Sequence, residues 1–370
     1  MNQGMPLNEF AATVIAHKSG KEDLILPARA VSFHADENQI LMDIPTQDLA
    51  VSRSFTANGN ALVQSLDYLD IPRRFATMLQ TKVPDLLVTN LNGLMARKGD
   101  DRRMVRTLTG TARAFLSDGF RRIDNEIVVD GLYPVAMRMG GQVQSANVSD
   151  DYMNLTILFP RIEGEIRRGD VLQYGINIKN SEVGHGALGL NPFLYRLVCL
   201  NGMTATEYSK RKTHVGGSYL ETNEDRSWLA LSSETQQLQM RALMAEMAEY
   251  MEALGQPRKF AELLDTLRDK ADQPLPAEPT VVVESLAARY SLLDSEKDSA
   301  LFALAGGQDM TRWGLANAVT QIANTSESYD RSAELMELGG RLMTMPAASY
   351  NALASMPKKT EILEGELVHV

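Results

Sequence analysis

Arginines are the most prominent residues of this 370-residue chain that could do chemistry, and they concentrate between residues 97 and 212. This segment holds 17 Lys and Arg against 13 Asp and Glu, whereas the whole chain has a formal net charge of −10. Arginine suits phosphate, because its planar guanidinium binds two oxygens at once and stays charged at any relevant pH. The positive middle of an acidic chain therefore favours a polyanionic partner. An ordinary solvated surface with uneven charge is the alternative.

We predict two sets of nucleic-acid-binding residues in this part of the chain. The basic set would neutralise phosphates and comprises Arg102, Arg103, Arg106, Arg121, Arg122, Lys179, Arg196, Lys210, Arg211 and Lys212. The aromatic set would stack on the bases of a single strand and comprises Phe115, Phe120, Tyr174 and Tyr195. The alternative is that Phe115 lies in the core and that the arginines pair with the aspartates between them.

Signatures of catalysis or metal binding are weak in this sequence. Glu182 and His185 could form an acid–base pair, but no nucleophile or second carboxylate is fixed beside them. Neither C-x-x-C nor H-x-x-x-H spacing is present, and the single cysteine, Cys199, is expected to be a buried and inert thiol. We therefore predict no cofactor and no metal, and an enzyme centred on Glu182 and His185 stays an alternative.

Residues 171–203 form the most patterned passage and must position several of these side chains. Tyr174, Ile176 and Ile178 share one face of a predicted strand, and a glycine-containing loop follows over residues 181–189. Apolar residues then recur at helical spacing over 193–200, with Pro192 in a plausible first turn. The passage therefore predicts a strand, a glycine loop and a buried helix. The loop lacks the lysine and the spacing of nucleotide-binding loops, so a structural turn or a contact with a polymer backbone is expected.

The remaining patterns predict several short strands with interleaved helices, followed by helices alone. Strands are predicted over residues 24–33, 39–44, 86–91, 104–111, 123–139 and 152–166, and helices over 60–69, 72–80, 238–254, 260–270, 311–322 and 334–345. On the helix after Thr311, Trp313 and Asn317 could meet a base or pack against a sheet.

This order predicts an α+β fold, in which a mixed or antiparallel sheet core with packed helices is followed by a mainly helical C-terminal region. The predicted domains are an α+β core with the basic segment over residues 1–217, a helical domain over 218–356 and a mobile tail over 357–370. No run approaches the eighteen or so apolar residues that a membrane span needs. The first ten residues also lack the pattern of a signal peptide, so a cytoplasmic protein without membrane contact is expected.

Three passages carry a family resemblance. Residues 113–125 read RAFLSDGFRRIDN, residues 175–203 read GINIKNSEVGHGALGLNPFLYRLVCLNGM, and residues 313–320 read WGLANAVT. Together they resemble an uncharacterised phage and plasmid protein family, a domain of unknown function found on mobile elements. The resemblance implies a mobile-element origin and no particular activity. The order of strands and helices also loosely resembles the cores of phage single-strand annealing proteins.

These observations predict a phage or mobile-element protein of DNA metabolism that binds single-stranded nucleic acid, in annealing or recombination. Its helices are expected to assemble it into a homo-oligomer. The alternative is a host-interaction protein, in which the acidic, Met-rich helical part binds a host protein.

Overall fold

The N-terminal strands form one sheet and the strands from the middle of the chain form another. The computed structural model describes residues 4–36, 39–45, 52–198, 200–205, 209–214, 233–326 and 328–357. Cys199, the domain boundary predicted at 217/218 and the predicted tail beyond residue 357 lie outside the described residues. The strands are β1 (Lys21–Pro27), β2 (Ser32–Asp36), β3 (Gln39–Pro45), β4 (Ser52–Ala57), β5 (Arg102–Leu108), β6 (Thr111–Ser117), β7 (Gln142–Val148), β8 (Met153–Glu165), β9 (Val171–Asn180), β10 (Leu188–Arg196), β11 (Asn201–Thr204) and β12 (Lys210–Lys212).

Helices surround both sheets. They are α1 (Leu7–Gly20), α2 (Gly59–Tyr68), α3 (Arg73–Lys82), α4 (Pro84–Lys98), α5 (Asn125–Arg138), α6 (Ser233–Leu254), α7 (Pro257–Ala271), α8 (Pro279–Tyr290), α9 (Asp294–Gly307), α10 (Arg312–Ala323), α11 (Tyr329–Thr344) and α12 (Ala347–Asn351). In the described part of the chain, every element after β12 is helical. The α+β fold with a mainly helical C-terminal region is therefore confirmed.

The first sheet has the strand order β1-β5-β6-β4-β3-β2, and only its β4–β6 pair is parallel. Its strands alternate as half-buried strands should: Ile40, Met42 and Ile44 of β3 are buried. Helices α2 and α4 cover this apolar face. On α4, Asn92 donates its amide to Phe33 O (2.9 Å) and accepts from Phe33 N (2.7 Å), which ties the helix to β2.

The second sheet is antiparallel, with the order β11-β10-β9-β8-β7 and with β12 also paired to β10. Helices cover both of its faces. On one face the Tyr174 ring lies 5.1 Å from the ring of Phe260 of α7. On the other face Lys179 Nζ lies 2.7 Å from Glu337 of α11. A single large apolar core joins this sheet to helices on either side of it.

Several predicted elements are confirmed. Strands β3, β5, β8 and β9 and helices α2, α3, α7, α10 and α11 lie within a few residues of their predicted bounds. The strand predicted over residues 24–33 is instead divided between β1 and β2. The methionines predicted to fill a core or a partner groove, among them Met244, Met247 and Met251 of α6, are buried in the second core.

The helix predicted over residues 193–200 is wrong, because residues up to Arg196 continue strand β10. This strand is central and buried on both faces, and a continuous apolar run of this kind cannot be told from a buried helix by period alone. Pro192 fits because its carbonyl accepts from Ala205 N, so its nitrogen faces the same edge, where β11 ends and β12 has not begun.

Two predicted strands are also wrong. Residues 123–139 form α5, whose buried Val128, Leu132, Val135 and Ala136 follow helical and not alternating spacing. Residues 86–91 belong to α4, which buries Leu87, Leu91 and Met95 at four-residue steps. Apparent alternation suggested a strand over residues 123–139, but in both segments burial on one helical stripe decides the structure. No helix of the described residues combines the length and the apolar character that crossing a bilayer requires.

Candidate functional site

Glu182 lies at the centre of a buried set of charges where the two sheets meet. We call this set the Glu182 cluster: Lys21, Asp23, Arg106, Arg113, Asp124, Glu126 and Glu182. The loop after β9 carries Glu182 onto the first sheet, where Gln64 of α2 donates to Val183 O (2.7 Å). Gly184 has φ +89°, and a β-carbon there would lie 2.8 Å from Leu116 Cδ2. The predicted glycine loop is thus a structural turn that seats Glu182.

Three donors hold the Glu182 carboxylate. Lys21 Nζ and the backbone N–H of Asn125 both donate to Oε1, each at 2.8 Å. Arg113 Nη2 donates to Oε2 at 2.8 Å. Because Asn125 is the first residue of α5, the carboxylate also lies at the positive end of a helix. Both oxygens are therefore engaged by groups from β1, β6 and α5.

Arg106 is a buried cation of the cluster, and it binds β1, the residue before α5 and the loop that carries Glu182. Its Nε donates to Asp23 Oδ1 (2.8 Å) and its Nη2 to Asp124 Oδ1 (2.6 Å). Its Nη1 donates to the backbone oxygen of Glu182 (2.8 Å). The side chain is only 1% exposed, so these contacts replace its hydration. Arg106 is committed to the protein's own carboxylates and not to a phosphate.

The cluster is made of fixed charges. Burial alone would raise the pKa of Glu182, but Lys21, Arg106 and Arg113 outweigh it and lower that pKa to about 2. Burial alone would lower the pKa of Lys21, but Asp124 and Glu182 outweigh it and raise that pKa. Both groups therefore stay ionised near neutral pH and cannot exchange protons with a substrate there.

The predicted acid–base pair of Glu182 and His185 is not assembled. The Glu182 oxygens point into the cluster, whereas His185 Nε2 lies 3.1 Å from Asp151 Oδ1. His185 and Asp151 are both partly exposed at the surface. In the described residues, no group of His, Cys, Asp and Glu is arranged to hold a metal ion.

A buried histidine lies beside the cluster. The ring of His214 stacks on Phe120 with centroids 4.9 Å apart, and its Nδ1 donates to Arg121 O at 3.0 Å. Burial lowers the pKa of His214 to about 4, so the ring is neutral at physiological pH. Its Nε2 is buried and has no hydrogen-bond partner among the described residues. This ring covers one face of Phe120, a residue that was predicted to stack on a base.

Most of the other predicted phosphate ligands are paired as well. Lys179 Nζ lies 2.7 Å from Glu337, Lys212 Nζ lies 2.7 Å from Glu246, Lys210 Nζ lies 3.7 Å from Glu246, and Arg122 Nη1 lies 3.1 Å from Asp23. Arg121 Nη2 donates to Gln239 Oε1 (3.3 Å). Arg211 and Arg102 are exposed. The pairing aspartates and glutamates come from distant parts of the chain, so sequence spacing did not reveal them.

The predicted stacking residues are buried. Phe115, Phe120, Tyr174 and Tyr195 are each less than a tenth exposed. Their rings are packed in protein, as Tyr174 is against Phe260, and offer little surface for a base to stack on. The prediction of a stacking role for these four side chains is therefore corrected by their burial.

One basic surface is different, and we call it the basic–aromatic corner: Tyr68, Arg97, Lys98, Arg102 and Arg103. Two cations contact the ring of Tyr68, with Lys98 Nζ 4.6 Å and Arg103 Cζ 4.3 Å from its centroid. Its hydroxyl donates to Asp101 (2.5 Å), which fixes the ring. Arg97 and Arg102 are exposed, and neither forms an ion pair within the described residues.

A second surface feature is a cleft of about 920 Å³ between α9 and α10. Arg196 lines it and is held bidentately by Asp170, with Nε–Oδ1 at 2.5 Å and Nη2–Oδ2 at 2.9 Å. Trp313 is 1% exposed and donates its Nε1 to Asp170 Oδ2 (2.8 Å), so this indole packs beneath the cleft and does not meet a ligand. Asn317 lines the cleft.

Sequence reasoning missed important residues of the Glu182 cluster and of the cleft between α9 and α10. Lys21 and Asp23 of the Glu182 cluster share one face of β1, and this alternation of opposite charges on a strand is a signal that the sequence does carry. Phe302 of α9 lines the cleft and is 82% exposed. The only sequence signal for it is a phenylalanine in a helix made mostly of small residues.

Comparisons with known proteins identify one family. A family model described as "Domain of unknown function (DUF932)" matches residues 114–338, from β6 to α11. No curated protein matches the chain. No solved structure matches it.

Proposed function

We infer the function from the chain's own residues, because the chain belongs to the DUF932 family, a family of unknown function. We propose that it binds single-stranded nucleic acid in the DNA metabolism of a phage or other mobile element. The mobile-element part is supported by the resemblance of the three sequence passages described above. The nucleic-acid part is supported by one structural observation, the basic–aromatic corner.

The corner offers two exposed arginines, Arg97 and Arg102, that form no ion pair within the described residues, whereas Lys98 Nζ lies 3.9 Å from Asp70 Oδ2. Arg103 is held by the rings of Tyr68 and Phe115, at 4.3 and 5.3 Å, and forms no ion pair within the described residues, although Asp101 acts on it from nearby. Arg97 and Arg102 extend into solvent from the end of α4 and the start of β5. Arginines that are already oriented by rings lose little freedom when they bind phosphate. The proposal therefore moves the contact surface away from Arg106 and towards these three residues.

The test measures the binding of labelled single-stranded and double-stranded oligonucleotides by fluorescence anisotropy at a series of salt concentrations. The double variant Arg102→Ala/Arg103→Ala should bind the single strand more weakly. The slope of log affinity against log salt should become shallower by about 1.4, since each lost phosphate contact on a single strand contributes about 0.7. The matched control is Arg258→Ala/Lys259→Ala, which removes two exposed cations from the start of α7.

If both double variants bind and respond to salt alike, the corner is not the contact surface. If the wild-type protein binds no oligonucleotide at micromolar concentration in low salt, the function itself is wrong.

A second candidate function, contact with another protein, is favoured by a specific observation on α3 and α4. Four apolar side chains there, Phe75, Met78, Val83 and Leu86, are 40–49% exposed. Exposed apolar patches of this kind mark interaction surfaces. The Met-rich helix α6 does not offer such a surface, because its methionines are buried.

The occupant that we propose for this patch is a second copy of the chain. Sedimentation velocity should then show a mass that rises with concentration, and Phe75→Ser/Met78→Ser should abolish the rise. A monomer at every concentration would exclude self-association through the patch.

A further inference from the structure

The cleft between α9 and α10 is large enough for a ligand. Its volume of about 920 Å³ lies in the range of small-molecule sites in proteins, roughly 300–1,000 Å³. Two helices of the second core form its walls, so its shape is set by buried packing beneath it. In contrast to the basic–aromatic corner, it presents amides, small side chains and one aromatic ring.

Phe302 is the most exposed large apolar side chain that the structure describes. It projects from α9, whose neighbouring exposed positions are Asp298, Ser299 and Gly306. These small neighbours leave the ring faces open to a planar group. An exposed aromatic ring is the element that base-stacking sites share.

The facing helix supplies polar groups. Asn317 and Gln321 lie one turn apart on α10 and both line the cleft. Asn317 donates its Nδ2 to Trp313 O (2.9 Å), and its Oδ1 is buried without a donor among the described residues, so Gln321 is the amide that a ligand in the cleft can reach. Gln321 is exposed, so both its amide oxygen and its amide nitrogen are available. A side-chain amide of this kind can pair with the amino group and adjacent ring nitrogen of adenine.

The charges of the cleft argue against a phosphate. The guanidinium of Arg196 is already neutralised by Asp170. The other charged lining residues, Asp298 and Asp309, are acidic, and Arg167 Nη1 lies 2.7 Å from Asp309 Oδ2. An uncharged ring with donors and acceptors on its edge fits this surface better than an anion does.

We propose that the cleft takes one unstacked nucleobase of the bound strand, preferentially adenine, stacked on Phe302 with its edge towards Gln321. This inference rests on the proposed function and adds base recognition at a second place on the molecule. The phosphates would contact the basic–aromatic corner, and the cleft would supply the preference among bases.

The experiment compares oligo-dA with oligo-dT in the anisotropy assay, using the full chain. The wild-type protein should bind oligo-dA several-fold more tightly. Phe302→Leu should weaken oligo-dA binding by fivefold or more, and Gln321→Leu should remove the preference for oligo-dA. Ile15→Leu, at an exposed apolar position on α1, is the matched control and should change neither. Thermal melting checks that every variant is folded.

A direct signal comes from a strand that contains 2-aminopurine, whose fluorescence reports its stacking. Binding should change this fluorescence in the wild-type protein and in Ile15→Leu but not in Phe302→Leu. If salt-sensitive binding persists while Phe302→Leu and Ile15→Leu behave alike, the base site is wrong and the proposed function stands. If no oligonucleotide binds the wild-type protein, both are wrong.

Discussion

The two ends of β5 carry arginines in opposite settings. Arg102 opens the strand at the surface, and no ion pair holds it within the described residues. Arg106, four residues later, is 1% exposed and bonded to Asp23, Asp124 and the backbone of Glu182. The difference shows that burial, and not residue type, decides whether an arginine is part of the protein's framework or available to a partner. A desolvated arginine needs internal carboxylates, whereas a solvated one keeps its charge for phosphate.

The largest effect should come from removing the buried arginine. Arg106→Met leaves Asp23 and Asp124 buried without their main partner, and we expect a loss of about 3–5 kcal/mol in the free energy of unfolding. Arg102→Met is the matched control on the same strand and should stay within about 0.5 kcal/mol of wild type. Urea unfolding followed by circular dichroism measures both. Equal losses in the two variants would show that the ends of β5 do not differ in this way.

The next effect concerns His214, which is buried against the cluster and near Arg106, Asp124 and Glu182. Its pKa is lowered from 6.5 to about 4, so the unfolded chain binds the proton more readily than the folded protein. Stability is therefore full above about pH 6.5 and declines as the pH falls towards 4. The loss amounts to roughly 3 kcal/mol, since each pKa unit corresponds to about 1.4 kcal/mol.

The free energy of unfolding at a series of pH values between 7 and 4 measures this decline. His214→Phe should make the decline smaller, although a residual slope remains because burial also lowers the pKa of His17. His34→Phe, which removes a more exposed histidine, serves as the control. A decline as steep in His214→Phe as in wild type would contradict the buried, neutral state of this ring.

A smaller loss of stability is expected at lower pH, where the protonation of Glu182 destabilises the fold and that of surface carboxylates does not. Because the folded pKa of Glu182 is lowered to about 2, its stabilising contribution is present above about pH 4.5 and is lost as the pH falls towards 2. Between pH 4.5 and 3 the loss is about 2 kcal/mol. Glu182→Gln should be less stable than wild type at pH 7 and should lack this part of the acid slope. Glu163→Gln, on the exposed end of β8, should keep the wild-type slope.

The sequence predicted the fold well where one face of an element is buried. In β3 and β9, apolar residues alternate and the strands are confirmed. In α7 and α11, apolar residues repeat at three- and four-residue steps and the helices are confirmed. Prediction failed for β10, because a strand buried on both faces has no period to detect. It also failed for α5, where Ile127, Val128 and Val129 favour a strand locally but tertiary packing stabilises a helix.

The candidate sites were less predictable than the fold. Arg102 and Arg106 lie on the same side of a strand by alternation, so the sequence gives no reason to separate them. What separates them is the approach of Asp23, Asp124 and Glu182, which come from up to 83 residues away in the chain. Exposure is equally hidden from local sequence, and Phe302 is visible as a surface ring only in the folded structure.

Arg103 lies between Arg102 and Arg106 in the sequence. Its burial is also intermediate, so its contribution to stability should fall between theirs. Its guanidinium is held by aromatic rings, and burial lowers its pKa, while Asp101 acts in the opposite direction. We expect Arg103→Met to cost about 1 kcal/mol, and a double-mutant cycle with Tyr68→Leu to give a coupling free energy of about 0.5–1 kcal/mol. The cycle is measured by urea unfolding at low and high salt.

A coupling free energy near zero would show that the rings do not hold Arg103. A coupling as large as the loss of stability expected for Arg106→Met would show that the stability effects at Arg102, Arg103 and Arg106 do not follow the burial of their side chains. The expected intermediate value has a consequence for binding. A ring orients a guanidinium without neutralising it, whereas a carboxylate does both. Under the proposed function, Arg103 would therefore be the half-buried neighbour of Arg102 that offers an oriented cation to a phosphate.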